Sequence, residues 1–402
     1  MILWDSRMVL LLLFSLAACT PQFPTMSAET PSRAPATPTG PALSSALPGP
    51  PPGIRSQLVP VEFELIGTPA NYHPAASHWG LGDLQHWHNR IYLAHGDWIR
   101  NTGPVRLIYL DLETGTLVHD EGFVADEEAL EIFRVFNDTL YAPGIDLRES
   151  PMLGNLYLKP WGQSWLKRRS IPSAVHVWDV ARLGRSLIAV GRAIKNNLAF
   201  GAVWVSTDSG QSWQEGPDFQ TDGYGEATNL FVLADRAYAT TVGTGCLAFD
   251  GDGWEEADCV PSSLFEASAH VHKNAWFEGT VAMAPYRCVD NTRLYLFDGT
   301  RRWTVDFGEP VRDVVSTEGG LLVLTGVPSG KGSIFHAASL DCRCEQDFVQ
   351  LINLNMSEGT LPVEVTRAEA CSSLGHTPQS LEYVQGRFYI GLADGRLFRS
   401  IE

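Results

Sequence analysis

The residues with the most chemistry to offer are spread along the chain. His95-Gly96-Asp97-Trp98-Ile99-Arg100-Asn101-Thr102-Gly103-Pro104 gathers an acid, a base, an amide and an indole into one short stretch. Charge recurs at comparable points later: Asp146 follows Pro143-Gly144-Ile145, Arg192 follows Gly191, and Arg287 follows Pro285-Tyr286. Tyr224 and Glu226 add a phenol and a carboxylate. Carboxylates and guanidiniums together suit a polar ligand, because arginine can grip a carboxylate through two parallel hydrogen bonds. They do not by themselves supply catalysis, since an acid/base pair needs perturbed pKa values as well as reach. No G-x-S-x-G elbow is present, so a serine nucleophile has no support. The plainer reading of Asp97 and Asn101 is turn chemistry, with both side chains capping backbone amides.

Histidine and cysteine offer a metal no evident home. His86 and His88 flank Trp87, and His270 and His272 flank Val271, so strand alternation puts each pair on one face. A metal needs a third ligand nearby, and the sequence supplies none; solvated or core histidines are expected, and no cofactor. Six cysteines accompany Cys19: Cys246, Cys259, Cys288, Cys342, Cys344 and Cys371. Cys342-Arg343-Cys344 has the wrong spacing for a CxxC half-site and lacks a second pair, which argues against zinc. An even number favours disulfides in an oxidising compartment. Cys246 and Cys259 lie on consecutive predicted strands and can bridge. Cys371 can pin a late insertion to Cys342 or Cys344, and the partner of Cys288 stays open.

The elements that must position these residues are strands. From about Val59 onward, short apolar runs alternate with Gly, Asp and Asn turns, and no long helical periodicity occurs. Runs such as Leu107-Ile108-Tyr109-Leu110, Leu156-Tyr157-Leu158, Val203-Trp204-Val205-Ser206 and Leu294-Tyr295-Leu296-Phe297 recur at about 40 to 50 residues. A four-stranded unit at that period reads as a β-propeller blade. Seven such runs predict an all-β, seven-bladed propeller over residues 59–402. The last blade lacks an outer strand, and Val59 to Ile66 alternates as a strand should; it is expected to fill that place and close the ring. The loops after the second strands would then converge at an upper mouth, placing Asp97, Asn101, Asp146, Arg192 and Arg287 around one funnel with Tyr224 and Glu226.

Ser206-Thr207-Asp208-Ser209-Gly210-Gln211-Ser212-Trp213 matches the pattern S-x-D-x-G-x-x-W. It resembles the Asp-box (BNR repeat) of sialidase-like propellers. The resemblance implies a structural role for Ser206, Asp208, Gly210 and Trp213: the aspartate accepts hairpin amides, the glycine takes a left-handed conformation, and the tryptophan packs between blades. Leu158 to Trp165 resembles a decayed copy without the aspartate, and Asp250-Gly251-Asp252-Gly253-Trp254 and Asp298 to Trp303 are shorter echoes. The Gly96 to Pro104 stretch is similar to one in bacterial propeller proteins. Sialidases of this fold use three arginines on the substrate carboxylate, a Tyr–Glu nucleophile pair and an Arg-Ile-Pro motif before the first blade. Here Pro60 to Pro69 holds no arginine. Arg192, Arg287 and Arg312 could imitate the triad, and Tyr224 with Glu226 the nucleophile pair.

The amino terminus points outward from the cell. Met8 to Ala18 is an apolar run of about 11 residues, too short to span a membrane, which takes roughly 20, and of signal-peptide length. Leu16-Ala17-Ala18-Cys19 resembles a bacterial lipobox. The resemblance implies a signal peptide over 1–18, lipidation of Cys19 with acyl groups such as palmitate, and a membrane anchor in the cell envelope. Thr20 follows without an aspartate, which in the enterobacterial pattern favours the outer membrane. Residues 19–58 are rich in Pro, Ser, Thr, Ala and Gly and read as an extended tether. Net charge over the 402 residues is −17 and the longest basic cluster is Lys167-Arg168-Arg169, which argues against nucleic acid. The leading expectation is a surface-anchored module that binds a polar ligand, glycan or protein. The alternatives are a carbohydrate-active enzyme, hydrolase or lyase, on the same face, and an assembly factor similar to lipidated propellers that help build membrane complexes.

Overall fold

The computed structural model describes residues 61–68, 80–96, 103–149, 152–219, 225–242, 245–260, 271–286, 290–338, 340, 348–356 and 376–401. The chain divides into two units, Met1–Pro52 and Gly53–Glu402. The first, with Cys19, lies outside the described residues, and no described segment is a helix.

Seven antiparallel sheets follow one another along the second unit. Each blade runs from an inner first strand to an outer fourth. Blade I comprises Asp83–Trp87, Arg90–Ala94, Val105–Asp111 and Thr116–Ala125; blade II comprises Arg134–Phe136, Thr139–Pro143, Leu153–Pro160 and Leu166–Pro172. Blade III is Ala174–Leu183, Ser186–Lys195, Leu198–Ser206 and Gln214–Phe219, and blade IV is Ala227–Leu233, Arg236–Thr241, Gly245–Phe249 and Trp254–Ala257. Blade V is Val271–Phe277, Thr280–Pro285, Arg293–Phe297 and Arg302–Asp306; blade VI is Val311–Thr317, Gly320–Gly326, Lys331–Ala337 and Phe348–Asn355. Blade VII takes Pro378–Val384, Arg387–Leu392 and Leu397–Ser400 from the end of the chain and Phe63–Gly67 from its beginning. The expected seven-bladed propeller is therefore observed, and the early strand is the outermost strand of blade VII. Its register sets Phe63 against Ser400, Glu64 against Arg399 and Leu65 against Phe398.

The core is not one cluster but seven, each between two neighbouring blades. Blades IV and V, for example, share Phe231, Tyr238, Met283 and Phe297. Blades II and III share Leu156, Ile171, Val180 and Trp204. A blade alone cannot bury both faces, so every sheet depends on the next one round the ring.

Blade III carries an addition that the repeat does not predict. Glu127–Ala129 and Ile145–Leu147 pair with each other and continue its sheet inward beyond Ala174–Leu183. Both segments lie on the upper side, where one blade hands over to the next. Gly96 bridges to Ala129 with φ of 139°, and a Cβ there would stand 2.4 Å from the Ala129 Cα. Only glycine lets the two backbones approach so closely.

The outer turns close through local hydrogen bonds. Asp208 Oδ1 accepts the Gln211 and Ser212 amides at 3.0 and 2.9 Å, and Ser206 Oγ accepts the Gly210 amide at 2.8 Å. The Ser212 hydroxyl and amide hold the Asp208 carboxyl down at about 2. Gly210 has φ of 82°, and Trp213 Nε1 donates to Ser170 Oγ of blade II at 3.1 Å. Asp250 and Asp298 accept turn amides in the same way, as does Asp111 in blade I. The turn of blade II lacks the aspartate and closes through Pro160 O instead.

Cys246 and Cys259 form a disulfide with Cα atoms 5.9 Å apart. Cys246 is on a strand as expected, whereas Cys259 follows the outer strand Trp254–Ala257 by two residues. Cys288, Cys342, Cys344 and Cys371 lie outside the described residues.

Candidate functional site

The inner strands share one register, counted back from each first hairpin turn. At one level stand Asp83, Asp179, Asn229, Lys273 and Asp313. The three aspartates follow a rule. Each accepts the backbone amide of the next blade: Asp83 from Phe133 at 2.9 Å, Asp179 from Leu230 at 2.8 Å, and Asp313 from Leu381 at 2.7 Å. All three are buried, so each carboxylate satisfies an amide that would otherwise stay unpaired between sheets.

Two cations answer these charges. Lys273 Nζ lies 2.6 Å from Asp83 Oδ1 and 3.2 Å from Asp313 Oδ2. Arg134 meets Asp179 with two hydrogen bonds of 2.9 and 2.8 Å. Glu382 joins from blade VII and accepts the His86 and Tyr383 amides at 2.8 and 2.9 Å. Burial pushes Asp313 up to about 6 and Glu382 up to about 7. The nearby carboxylates hold Lys273 above its ordinary range against the desolvation that would lower it. Four carboxylates, Asp83, Asp179, Asp313 and Glu382, thus face two cations.

Below this layer the channel opens into a cavity of about 1080 Å³. Its wall comes mainly from the first strands of blades I, V, VI and VII and the hairpin turns of blades VI and VII, with Arg134 of blade II, Leu322, His336 and Leu351 of blade VI and Phe388 of blade VII completing it. His86, Trp276, Ser316 and Tyr383 stand at one register level in those four blades. Trp276 is 56% exposed and Tyr383 36% exposed. Burial keeps the His86 imidazole below its ordinary pKa, and its Nε2 is buried without a hydrogen-bond partner.

Of the residues chosen from sequence for the funnel, Asp146, Arg192 and Glu226 are described, and they lie on the upper side. Arg192 and Glu226 come together: Arg192 Nη2 lies 3.2 Å from Glu226 Oε1. Trp178 Nε1 donates to the same oxygen at 2.5 Å, and His176 Nδ1 is 3.6 Å away. His176 faces Arg192 in the strand register. Glu226 is buried, so the Arg192 charge is matched inside the protein. Asp146 sits on the short strand Ile145–Leu147, whose Ile145 pairs with His176. Asp97, Asn101, Tyr224 and Arg287 lie outside the described residues. Arg312, the third arginine considered for a carboxylate triad, is fully buried and bonded to Gly326 O and Asp290. His88 stacks on Trp161 at 3.7 Å and pairs with Asp138. Among the described residues no group of three or more His, Cys, Asp or Glu is placed to hold a metal ion.

A second carboxyl on the upper side is unusual. Glu127 is fully buried; its Oε1 accepts from Asn155 Nδ2 at 2.5 Å and from the Tyr157 hydroxyl at 3.1 Å. Burial pushes it up to about 8, against about 4.3 for a free glutamate. The native state therefore favours the neutral acid. Stability from this group is fully present below the unfolded pKa and is lost as pH rises through about 8. Glu127→Gln should match the parent at pH 5 and exceed it by a few kcal/mol at pH 9, read from denaturant midpoints. Parallel stability curves for the two proteins across that range would refute this.

With the geometry in view, the similarities to known proteins are limited to architecture. No protein-family model matches the chain, and no curated protein matches it in sequence. Solved structures do match in fold. YCF48 bound to D1 peptide superposes with a TM-score of 0.50 at 15% identity, covering 87% of this chain and all of that one. Virginiamycin B lyase from Staphylococcus aureus, in complex with quinupristin, gives a TM-score of 0.54 at 7% identity, covering 85% of this chain and all of that one. A chain of the mitotic checkpoint complex gives 0.50 at 12% identity over 92% of this chain and 99% of that one. At these identities the likeness concerns the fold alone.

None of the sequence motifs pointed to the lower cavity. A signal was nevertheless present: Gly82-Asp83-Leu84, Trp178-Asp179-Val180 and Arg312-Asp313-Val314 each set an aspartate before an apolar residue, four residues before the end of a first strand.

Proposed function

We propose that this propeller is a non-enzymatic binding module that takes its ligand at the lower mouth of the channel. The observation that carries the reading is the open cavity of about 1080 Å³, edged by Trp276 and Tyr383 and floored by charges already paired with one another. Large exposed aromatics beside a concave, partly polar site are the usual marks of recognition. Floor cations that are already engaged by Asp179, Asp83 and Asp313 hold the site in shape. The upper-face set of Asp97, Asn101, Asp146, Arg192, Tyr224, Glu226 and Arg287 is the competing location. YCF48 holds a peptide, which makes peptides the first ligand class to test, with glycans second.

The test is a screen of arrayed peptides and glycans against the full chain in detergent, repeated with Trp276→Ala and Arg192→Ala. Trp276→Ala should lose at least tenfold in affinity for any hit, a loss of about 1.4 kcal/mol, with Arg192→Ala nearly unchanged. The reverse pattern would move the site to the upper face. Turnover of a sialoside or other glycoside, abolished by Glu226→Gln, would replace the binding reading with the enzyme.

We also propose that the module works at a membrane surface in the cell envelope, on the outer-membrane side, held by lipid on Cys19. Leu16-Ala17-Ala18-Cys19 and the proline-rich stretch after it support this; two or three acyl chains anchor stably where one is marginal. Metabolic palmitate labelling should vanish in Cys19→Ala, and label persisting in that variant would dismiss the anchor.

A further inference from the structure

We propose that the lower mouth recognises a basic side chain, a guanidinium or an ammonium, presented by a partner peptide. Trp276 and Tyr383 would supply the aromatic faces, and Glu318 and Glu382 the negative charge. The inference rests on the reading that this mouth is the binding site, and adds the chemistry of what enters it.

Charge is the first ground. The two cations that reach the cavity are both engaged from behind: Arg134 by Asp179, and Lys273 by Asp83 and Asp313. Neither has an unmatched charge to offer an anion. The carboxylates exceed them, because Glu382 has only backbone amides and the distant field of Lys273 to balance it. Glu318 adds a further negative charge in the exposed turn of blade VI, with no cation paired to it among the described ion pairs. The whole chain is also acidic, at −17, which speeds the approach of a cationic partner.

The aromatic groups are the second ground. Trp276 sits at a position where blades I, VI and VII carry His86, Ser316 and Tyr383, and it is more than half exposed at the rim. Its backbone is held by Ser316, whose hydroxyl donates to Trp276 O at 2.5 Å, so its attachment is fixed while its ring stays open. Tyr383 leans on Phe388 with ring centroids 4.8 Å apart. A cation over an indole face gains attraction from the ring quadrupole, and tryptophan is the best of the rings for this. His86 is kept neutral by burial, so it adds no positive charge to repel a cation. His336 also lines the cavity, with its Nε2 3.0 Å from Gly319 O.

Glu382 gives the proposal a signature. Its carboxyl faces Lys273, Asp83 and the backbone of His86, and burial favours its neutral form near neutrality. A cation entering the mouth favours the ionised form, so binding should release protons and tighten as pH rises from 6 to 8. Asp313 lies behind Lys273 and Asp179 is closed off by Arg134, so neither should dominate this change.

The experiment titrates the full chain with a blocked pentapeptide, acetyl-Gly-Arg-Gly-Arg-Gly-amide, and with its citrulline counterpart, following tryptophan fluorescence and heat in buffers of different ionisation enthalpy. The arginine peptide should bind at least tenfold more tightly than the citrulline peptide, and tighten severalfold between pH 6 and 8 with proton release. Glu318→Gln, an exposed change that leaves the fold alone, should weaken it severalfold, and Trp276→Ala at least tenfold. Equal binding of both peptides would overturn the proposal and leave the lower-mouth reading standing. No binding of the arginine peptide would also overturn it, and a hit from the screen that still needs Trp276 would then separate the two failures. Tighter binding at pH 6 than at pH 8 would contradict the charge assignment.

Discussion

Lys273→Met should lower the thermal midpoint by roughly 10 °C at pH 8, the product of about 3–5 kcal/mol for breaking a buried ion pair and about 2–4 °C per kcal/mol for a domain of this size. Methionine keeps the length of the stem and its packing, so the loss isolates the ammonium. What remains is Asp83 and Asp313, both about 1% exposed in their side chains, with Glu382 beside them and Arg134, the other cation described in this layer, already bound to Asp179. The carboxyls can escape only by taking up protons. Asp313 and Glu382 already titrate at about 6 and about 7 because they are buried. Folded values above the unfolded ones mean stability that is fully present below the unfolded pKa and lost as pH rises through those values. Removing Lys273 raises both further, so the deficit of the variant should widen from pH 5 to pH 8. Asp313→Asn keeps an oxygen for only one of the two amides, Leu381 on Oδ2 or Val314 on Oδ1, but it removes a buried charge and should return part of the loss in the double variant. A midpoint within 2 °C of the parent at pH 8, or a deficit independent of pH, would show that the ammonium does not hold this layer together.

The fold was legible in the sequence because a propeller is a local object repeated. Each of the first six blades announces itself within one stretch: a run such as Val203-Trp204-Val205-Ser206, then a turn such as Thr207 to Ser212. The site was less legible because it belongs to the ring and not to any blade. Lys273 reads as an ordinary lysine on a strand, and its partner Asp83 lies four blades earlier in the sequence, in blade I. Only closure brings them to 2.6 Å. Trp276 reads as a core residue between Ala275 and Phe277, since alternation says which residues share a face and not which face meets solvent. Asp126 to Glu131 reads as a loop for a similar reason. Glutamates disfavour a buried strand until something neutralises them, and Asn155 and Tyr157, which hold Glu127, come 28 and 30 residues later. Arg192 and Glu226 were legible as polar residues on one side of the ring. Their charges meet each other at 3.2 Å, a pairing that spacing alone does not reveal.

Deleting Phe63–Gly67 should cost the ring on the order of 5 kcal/mol and lower the thermal midpoint by roughly 10–20 °C. The segment has no intrinsic strength, with five residues and an exposed Leu65. Its value lies in where it pairs. It is the outer strand of a sheet whose other three strands come from the far end of the chain, so it joins the first segment of the ring to the last. Phe63 packs into the core between blades VI and VII, and Ile66 into the core between blades VII and I. Removing them thins two of the seven inter-blade cores at once. The Glu64–Arg399 contact is a surface ion pair and contributes little by itself. The backbone matters more, because the edge of Leu397–Ser400 loses its partners and becomes free to pair with another chain. The deleted protein should therefore aggregate as it unfolds, at a temperature that falls with concentration. A control that removes residues 20–58 and keeps the strand should melt like the parent, since their composition reads as a tether. If the strand deletion melts within 2 °C of that control, the ring does not depend on this closure, and the seam between first and last blades must be held by the Leu81, Leu84 and Tyr389 core alone.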